Sequence, residues 1–381
     1  MKYNKIDGTD VSAVGFGCYA LSGAYGSVNT QEYERVIKRA LKLGVTLFDT
    51  ADTYGEQAER LLGGSVKDVR DDVFISTKVG VTEGNKPDLS YDTVIQACRN
   101  SLDRLQTDHI DLYMVHFDDP STPIEETVEA MEYLLEQGMI GRYGVSHLPY
   151  ERIEEYIDIG DPSALMFEYS PVAMDAEKHL FPLCRKHDLG AIAFSVTGRG
   201  ILTGKITKKT EFEKGDIRRN DPLFKHARFA SAIRRMKKLK EIGESYDKSP
   251  VQMAIAWVLS HPEISSALTG PSSTEHMEEN VEAADFEIPP EDLRELNLFF
   301  REDNLRMIEE EGELIKELLK NPLDHEKGFS DLIYVMETAI LQDMAGESDL
   351  MPLFMELWSM KEDPDSDVME DVQRVLKDRL L

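Results

Sequence analysis

Cysteine is scarce here, tryptophan scarcer, and long apolar runs are missing. The three cysteines, Cys18, Cys98 and Cys184, form neither a CxxC pair nor a disulfide framework. They suit a reducing compartment and exclude a cysteine-ligated iron–sulfur module. No uninterrupted apolar run approaches the roughly 20 residues that span a bilayer. The opening MKYNKIDGTD has no apolar h-region, so a cytoplasmic protein without a membrane partner is expected. Basic charge is also short: 43 Lys and Arg face 72 Asp and Glu, a net charge of −29. Such a field repels phosphate-rich polymers and argues against nucleic acid as a partner. The remaining composition, 41% hydrophobic and 8% aromatic, is that of a soluble globular chain.

Through about residue 300, short apolar runs alternate with longer amphipathic stretches, the pattern of β/α units. A hairpin is expected at 1–10. Eight strands follow: AVGFG (13–17), VTLFD (45–49), DVFIST (72–77), IDLYMVH (110–116), RYGVS (142–146), ALMFE (164–168), AIAFS (191–195) and SSALT (265–269). Helical periodicity fills 30–43, 56–66, 91–105, 123–137, 149–159, 176–188, 231–245, 250–260 and 273–284. Eight such units predict a (β/α)8 TIM barrel, with an N-terminal β-hairpin and a C-terminal helical extension. An open doubly wound sheet is the alternative, weakened because GFGCYA is too short for the GxGxxG that such a sheet places after its first strand.

A segment at 198–228, rich in Gly, Lys and Arg, interrupts the last units, and a loop of that length in a compact domain is usually functional. From residue 301 the composition shifts: 301–381 holds 9 basic and 22 acidic residues. Apolar positions 332, 333, 335, 336, 339 and 340 follow a helical period, as do 353, 354 and 357. Asn321-Pro322, Pro352 and Asp363-Pro364 punctuate this part. The expected organisation is therefore a barrel at 1–300 and an acidic helical extension at 301–381.

Four residues at or just past strand ends carry the chemistry: Asp49, Tyr54, Lys78 and His116. Any one of them has a bland reading as cap, packed aromatic, loop end or core histidine. Together they form a proton donor for a carbonyl. A lysine ammonium beside a phenol favours the phenolate, while burial opposes it; the ammonium is expected to prevail, lowering the Tyr54 phenol and easing its proton donation. Asp49 keeps the ammonium charged and placed, and His116 can hydrogen-bond a carbonyl oxygen. No nucleophile and no metal cluster accompanies them; His116-Phe117-Asp118-Asp119 lacks the convergent ligands a metal needs.

On these residues the chain resembles the aldo-keto reductase family. GVTLFDTADTYGEQAERLLG (44–63), FISTKVG (74–80), SLDRLQTDHIDLYMVHFDDP (101–120), EQGMIGRYGVSH (136–147), HLFPLCRKHDLGAIAFSVTGRGILTGK (179–205) and ALTGPSSTEHMEENVEAA (267–284) carry the resemblance, over about residues 1–300. It implies Asp49, Tyr54, Lys78 and His116 as the catalytic tetrad, Tyr54 as proton donor, and NADP(H) or NAD(H) across the barrel mouth. It also implies reversible reduction of a small aldehyde or ketone.

For the cofactor, the resemblance implies Ser146 at the nicotinamide carboxamide, with His147 where an asparagine is usual and Met166 where a glutamine is usual. Phe194 would stack on the ring and Ser195 follows it. Gly198, Arg199, Gly200, Leu202 and Lys205 would cover the pyrophosphate, with glycine N–H groups approaching phosphate. Gly270, Ser272, Ser273, His276, Glu279 and Asn280 would hold the adenosine end. Ser272 stands where many members carry an arginine for the 2′-phosphate, and no Lys or Arg lies between 266 and 284. Family habit thus favours NADP and the missing cation favours NAD. Arg218 and Arg219 are candidate contacts to phosphate or substrate; Tyr19, Tyr25, Phe117 and Phe224 are candidate walls of an apolar pocket. The competing class is a cofactor-binding regulatory protein on the same barrel. The extension is expected to pack on the barrel or on a second copy in a homo-oligomer.

Overall fold

The computed structural model describes residues 1–82, 86–320, 331–336, 372 and 374–375. The chain opens with an antiparallel hairpin, β1 (Tyr3–Ile6) and β2 (Thr9–Ser12), as expected from the sequence. Eight parallel strands then close on themselves in chain order. They are β3 (Val14–Gly17), β4 (Leu47–Asp49), β5 (Phe74–Val79), β8 (Leu112–Val115), β9 (Tyr143–Ser146), β10 (Ala164–Glu168), β11 (Gly190–Phe194) and β12 (Ile264–Thr269). A minor hairpin, β6 (Val81–Thr82) with β7 (Lys86–Pro87), follows β5. The fold is the (β/α)8 barrel, and the open-sheet alternative is set aside by closure between β12 and β3.

Helices α1 (Thr30–Lys42), α2 (Glu56–Val66), α3 (Tyr91–Leu105), α4 (Ile124–Glu136), α5 (Tyr150–Ile159), α6 (Leu180–His187), α7 (His226–Gly243), α8 (Pro250–Leu259) and α9 (Thr274–Glu282) surround the strands. Their starts follow local chemistry. Asn29 accepts from the Glu32 N–H to open α1, and Ser249 and Gln252 form a reciprocal capping box at α8. Where α2 meets α3 the backbones nearly touch: a Cβ on Gly63 would lie 2.0 Å from the Leu105 carbonyl oxygen, so only glycine fits.

Two differences from the sequence reading have simple causes. The helix expected at 176–188 begins at Leu180, after a short 3-10 turn at Asp175–Glu177. The helix expected from 231 begins at His226, so the end of the 198–228 segment is already its first turn.

The barrel interior follows the two-residue period of its strands. Leu47, Phe74, Leu112, Met114, Ala164, Met166, Ile192 and Leu268 point inward, while Ile6 and Val11 of the hairpin plug the N-terminal end. Outward-facing neighbours such as Phe48, Ile75, Tyr113 and Val145 join the larger core under the helices. At the other end, the same alternation turns Asp49, Lys78, His116 and Ser146 into the mouth.

The last long helix, α10 (Pro290–Lys320), runs continuously through residue 300, where the sequence suggests a boundary. Beyond it, a helical segment at 331–336 buries Leu332, Ile333, Tyr334, Val335 and Met336. The expected apolar positions 339, 340, 353, 354 and 357, and the three proline breaks, lie outside the described residues.

Candidate active site

At the C-terminal rim, β4 and β5 lie side by side with Asp49 opposite Ser76, and Lys78 stands two residues further along β5. The ladder thereby puts an acid and an amine on adjacent strands, both facing inward. Lys78 Nζ donates to both Asp49 carboxylate oxygens at 2.7 Å and to the Thr50 carbonyl at 2.7 Å. Its fourth neighbour is the Tyr54 hydroxyl, at 3.5 Å. Tyr54 comes from the 3-10 turn Asp52–Tyr54 that follows β4. His116 stands just past β8, its ring centroid 5.9 Å from that of Tyr54, and its Nδ1 lies 3.3 Å from Thr53 Oγ1. All four expected residues meet in one place. Thr50 and Thr53, which hold Lys78 and His116, were not singled out from the sequence.

The charges are set by burial. Asp49 and Lys78 are almost fully buried. Burial raises the Asp49 carboxyl, while the ammonium against both its oxygens pulls the other way. The Tyr54 phenol is pushed well above its ordinary value, first by burial and then by the Asp49 charge. This corrects the expectation that Lys78 dominates: desolvation and a carboxylate outweigh one ammonium at 3.5 Å. Tyr54 therefore keeps its proton at neutral pH. His116 is driven well below the ordinary imidazole range by burial and by Lys78, so it is a neutral ring able to donate one N–H. Asp52, in the turn that carries Tyr54, is raised to about 7 by burial and by Glu59.

Aromatic rings wall the mouth. Tyr19 packs edge-on against Tyr54 at 5.1 Å and against Tyr25 at 5.7 Å, and Phe117 lies 4.3 Å from the His116 ring. The segment 198–228 folds over this side. Ile217 N–H donates to the Ala24 carbonyl, and Arg218, paired with Asp216, lies over the Tyr25 and Phe212 rings. Phe224 packs on Phe212 rather than at the tetrad. Arg219 is exposed. Asp118 and Asp119 have structural work: Asp118 pairs with Arg152, and Asp119 holds a turn through Leu89, Ser121 and Thr122. Among the described residues no group of three His, Cys, Asp or Glu is arranged for a metal ion.

The residues expected to hold a dinucleotide spread from the tetrad to α9. Ser146 and Met166 are direct partners across β9 and β10. Ser146 ends its strand at the mouth, but Met166 is buried in the inner core and has no amide to offer. His147 takes a left-handed backbone (φ 52°), as does Ser195 (φ 52°) at the end of β11. The His147 ring packs edge-on against Phe194 at 5.6 Å.

The 198–200 turn departs from expectation. Gly198, Arg199 and Gly200 all have positive φ, which bends the turn onto itself. The Gly198 and Gly200 N–H groups donate to Ser195 and Thr197 carbonyls, so they are engaged rather than aimed at a phosphate. Leu202 is a core side chain. Arg199 forks onto Glu168 at 2.8 and 2.9 Å and also meets Asp221 at 2.9 Å. Glu168 and Asp221 were missed from the sequence; Asp221 before Pro222 is a cap signal that could have marked the turn.

At the far end, Ser273 caps α9 by accepting the His276 N–H, Asn280 is buried, and Gly270 and Ser272 are exposed. Glu279 gives its carbonyl to Gln252. The cation missing from 266–284 arrives through space: Lys205 Nζ lies 2.9 Å from His276 Nε2, and His276 Nδ1 lies 3.2 Å from Ser272 Oγ. An ammonium, an imidazole, two hydroxyls and a helix N-terminus thus converge, a donor set that fits a phosphate monoester.

Residues 13–299 match the model of the Aldo/keto reductase family. The aldo-keto reductase YhdN of Bacillus subtilis is 31% identical over 307 residues, which cover 78% of this chain and 93% of that protein. A glycerol dehydrogenase structure from Gluconobacter oxydans superposes with a TM-score of 0.73 at 26% identity, over 79% of this chain and 95% of that one. A Klebsiella pneumoniae aldo/keto reductase, solved in complex with NADP and acetate, gives 0.63 at 26% identity, over 77% and 93% of the two chains. With its closed eight-stranded barrel and paired lysine and aspartate beside a mouth tyrosine, the chain is of the oxidoreductase class of barrels. It belongs to the aldo/keto reductase family.

Proposed function

We propose that this chain is an NADP(H)-dependent oxidoreductase that interconverts small aldehydes or ketones and their alcohols, with Tyr54 as the proton donor. One observation carries the reading. Lys78 Nζ, fixed by two 2.7 Å bonds to Asp49, reaches the Tyr54 hydroxyl at 3.5 Å beside a neutral His116. A nicotinamide dinucleotide, when bound, supplies or takes up hydride. The rest falls to the chain. His116 donates to the carbonyl oxygen and orients it toward Tyr54. The oxygen, made strongly basic on reduction, takes the proton that Tyr54 holds. Lys78 then faces a phenolate, and its charge, kept in place by Asp49 and the Thr50 carbonyl, stabilises it. Tyr19, Tyr25 and Phe117 exclude water and favour a substrate with an apolar body.

Lys205, His276 and Ser272 support NADP over NAD, in keeping with the NADP that the Klebsiella relative carries. The buried, unpaired thiols of Cys18, Cys98 and Cys184 support a reducing cytoplasm. Met166 supports a second reading, a cofactor-binding regulator with weak turnover, because the carboxamide has one fewer polar partner. Titration with NADPH and NADH, followed by a panel of aldehydes and ketones monitored by loss of NADPH absorbance, separates the two. Tight binding without turnover on any carbonyl would select the regulator.

A further inference from the structure

We propose that residues 303–311 of α10 and 331–334 form a built-in strap that holds the start of α7, and with it the loop 216–226, over the dinucleotide cleft. The inference rests on the cofactor reading above only for what the cleft binds. Three acids of the strap meet the first turns of α7. Asp303 on α10 takes Ser231 at 2.5 Å and Arg235 at 2.9 Å, and also pairs with Arg234. Glu311 accepts from Arg228 at 2.8 Å and from the Tyr334 hydroxyl at 2.9 Å. Asp331 meets His226 Nε2 at 2.8 Å, and the Tyr334 ring stands 5.0 Å from the His226 ring. All three acids are nearly fully buried.

The last contact matters most, because His226 opens α7 with a left-handed backbone (φ 43°). A non-glycine residue stays there only where its surroundings over-determine it, and what grips its side chain is the strap. Immediately upstream, Asp221 is buried, caps the 222–224 turn and meets Arg199, which in turn forks onto Glu168 at the end of β10. Four residues separate Asp221 from His226. At no more than about 3.6 Å per residue they leave little slack, so a shift of the first α7 turn reaches Asp221 and Arg199. Asp331, Tyr334 and Asp221 are thereby positioning residues: they touch no reacting atom but set the loop lying against Tyr25.

Amide hydrogen exchange on the ligand-free full chain, paired with NADPH dissociation rates, tests this. Asp331→Asn keeps the side chain's shape and removes its charge. It is expected to speed exchange across 216–226, and to raise the NADPH dissociation rate, by about tenfold, the scale of one lost charge-assisted bond. The single-turnover hydride-transfer rate should stay unchanged. In a His226→Gly background, which removes both partner and strained side chain, Asp331→Asn should do nothing further. Unchanged exchange at 216–226 would overturn the strap, as would the same effect in both backgrounds. Should Asp331→Asn not fold, His226→Gly alone, which loses the same contact, should show the same faster exchange and dissociation, and unchanged exchange in it would overturn the strap. Failure of the wild type to bind NADPH or NADH would defeat the cofactor reading instead, while the exchange result would still decide the strap.

Discussion

The mouth and the α7–extension contact both bury ion pairs, yet they leave different things open. At the mouth, Lys78 is held by Asp49 and Thr50, and its remaining polar neighbour is the Tyr54 phenol. Under the extension, Asp303 collects Ser231, Arg234 and Arg235, and Arg235 also donates to the Pro171 carbonyl at 2.8 Å. That cluster presents nothing to a substrate. Pairing and burial are therefore common to a reactive centre and a strut. The reactive centre differs in setting one protonated hydroxyl beside its paired lysine at the barrel mouth.

The comparison breaks most sharply with charge removal at each cluster. Lys78→Met should cut carbonyl reduction by about 10²–10⁴-fold, the range of a lost acid–base partner. If turnover under saturating NADPH survived that change, the mouth would be no different in kind from the strut. Arg235→Met leaves Asp303 buried with one partner fewer and should cost about 3–5 kcal/mol of stability. Activity per folded molecule should hold, which urea melts and active-site titration would reveal together. Lys205→Ala removes the cation that reaches His276 and should weaken NADPH about tenfold while sparing NADH, on the scale of one charge-assisted bond. Equal losses for both nucleotides would remove Lys205 from the phosphate.

The smallest effect concerns pH. Asp52, raised to about 7, binds a proton in the folded state that the unfolded chain releases near the ordinary carboxylate range. Its contribution to stability is complete at low pH and is lost as pH rises through about 7. Asp52→Asn should then gain on the wild type between pH 5 and pH 8, by on the order of 1 kcal/mol. A gap that did not change with pH would count against the burial of Asp52. His116 and His147, held neutral below the ordinary imidazole range, act in the opposite sense: the unfolded state gains protons first, so their contribution is lost as pH falls through that range.

Much of the mouth was legible in the sequence because it is built from alternation. Asp49 and Lys78 share an inward parity with Leu47 and Phe74 on their strands, and His116 follows Leu112 and Met114 in the same way. Nothing local encodes what holds the remainder. Lys205 and His276 are 71 residues apart, and His226 and Asp331 are 105 apart. Such pairs have no period and no cap: the closed barrel brings the first together, and the 331–336 segment lying on α7 makes the second. The sign of the Tyr54 shift was misjudged for a related reason: it depends on how much protein surrounds the phenol, which no spacing reveals.

The most direct test of the central claim is a comparison of wild type and Tyr54→Phe on an aldehyde that the wild type reduces, with NADPH affinity measured in parallel. Affinity should be unchanged while reduction falls by about 10²–10⁴-fold. Reduction by the phenylalanine variant at the wild-type rate would contradict the assignment of Tyr54 as the proton donor.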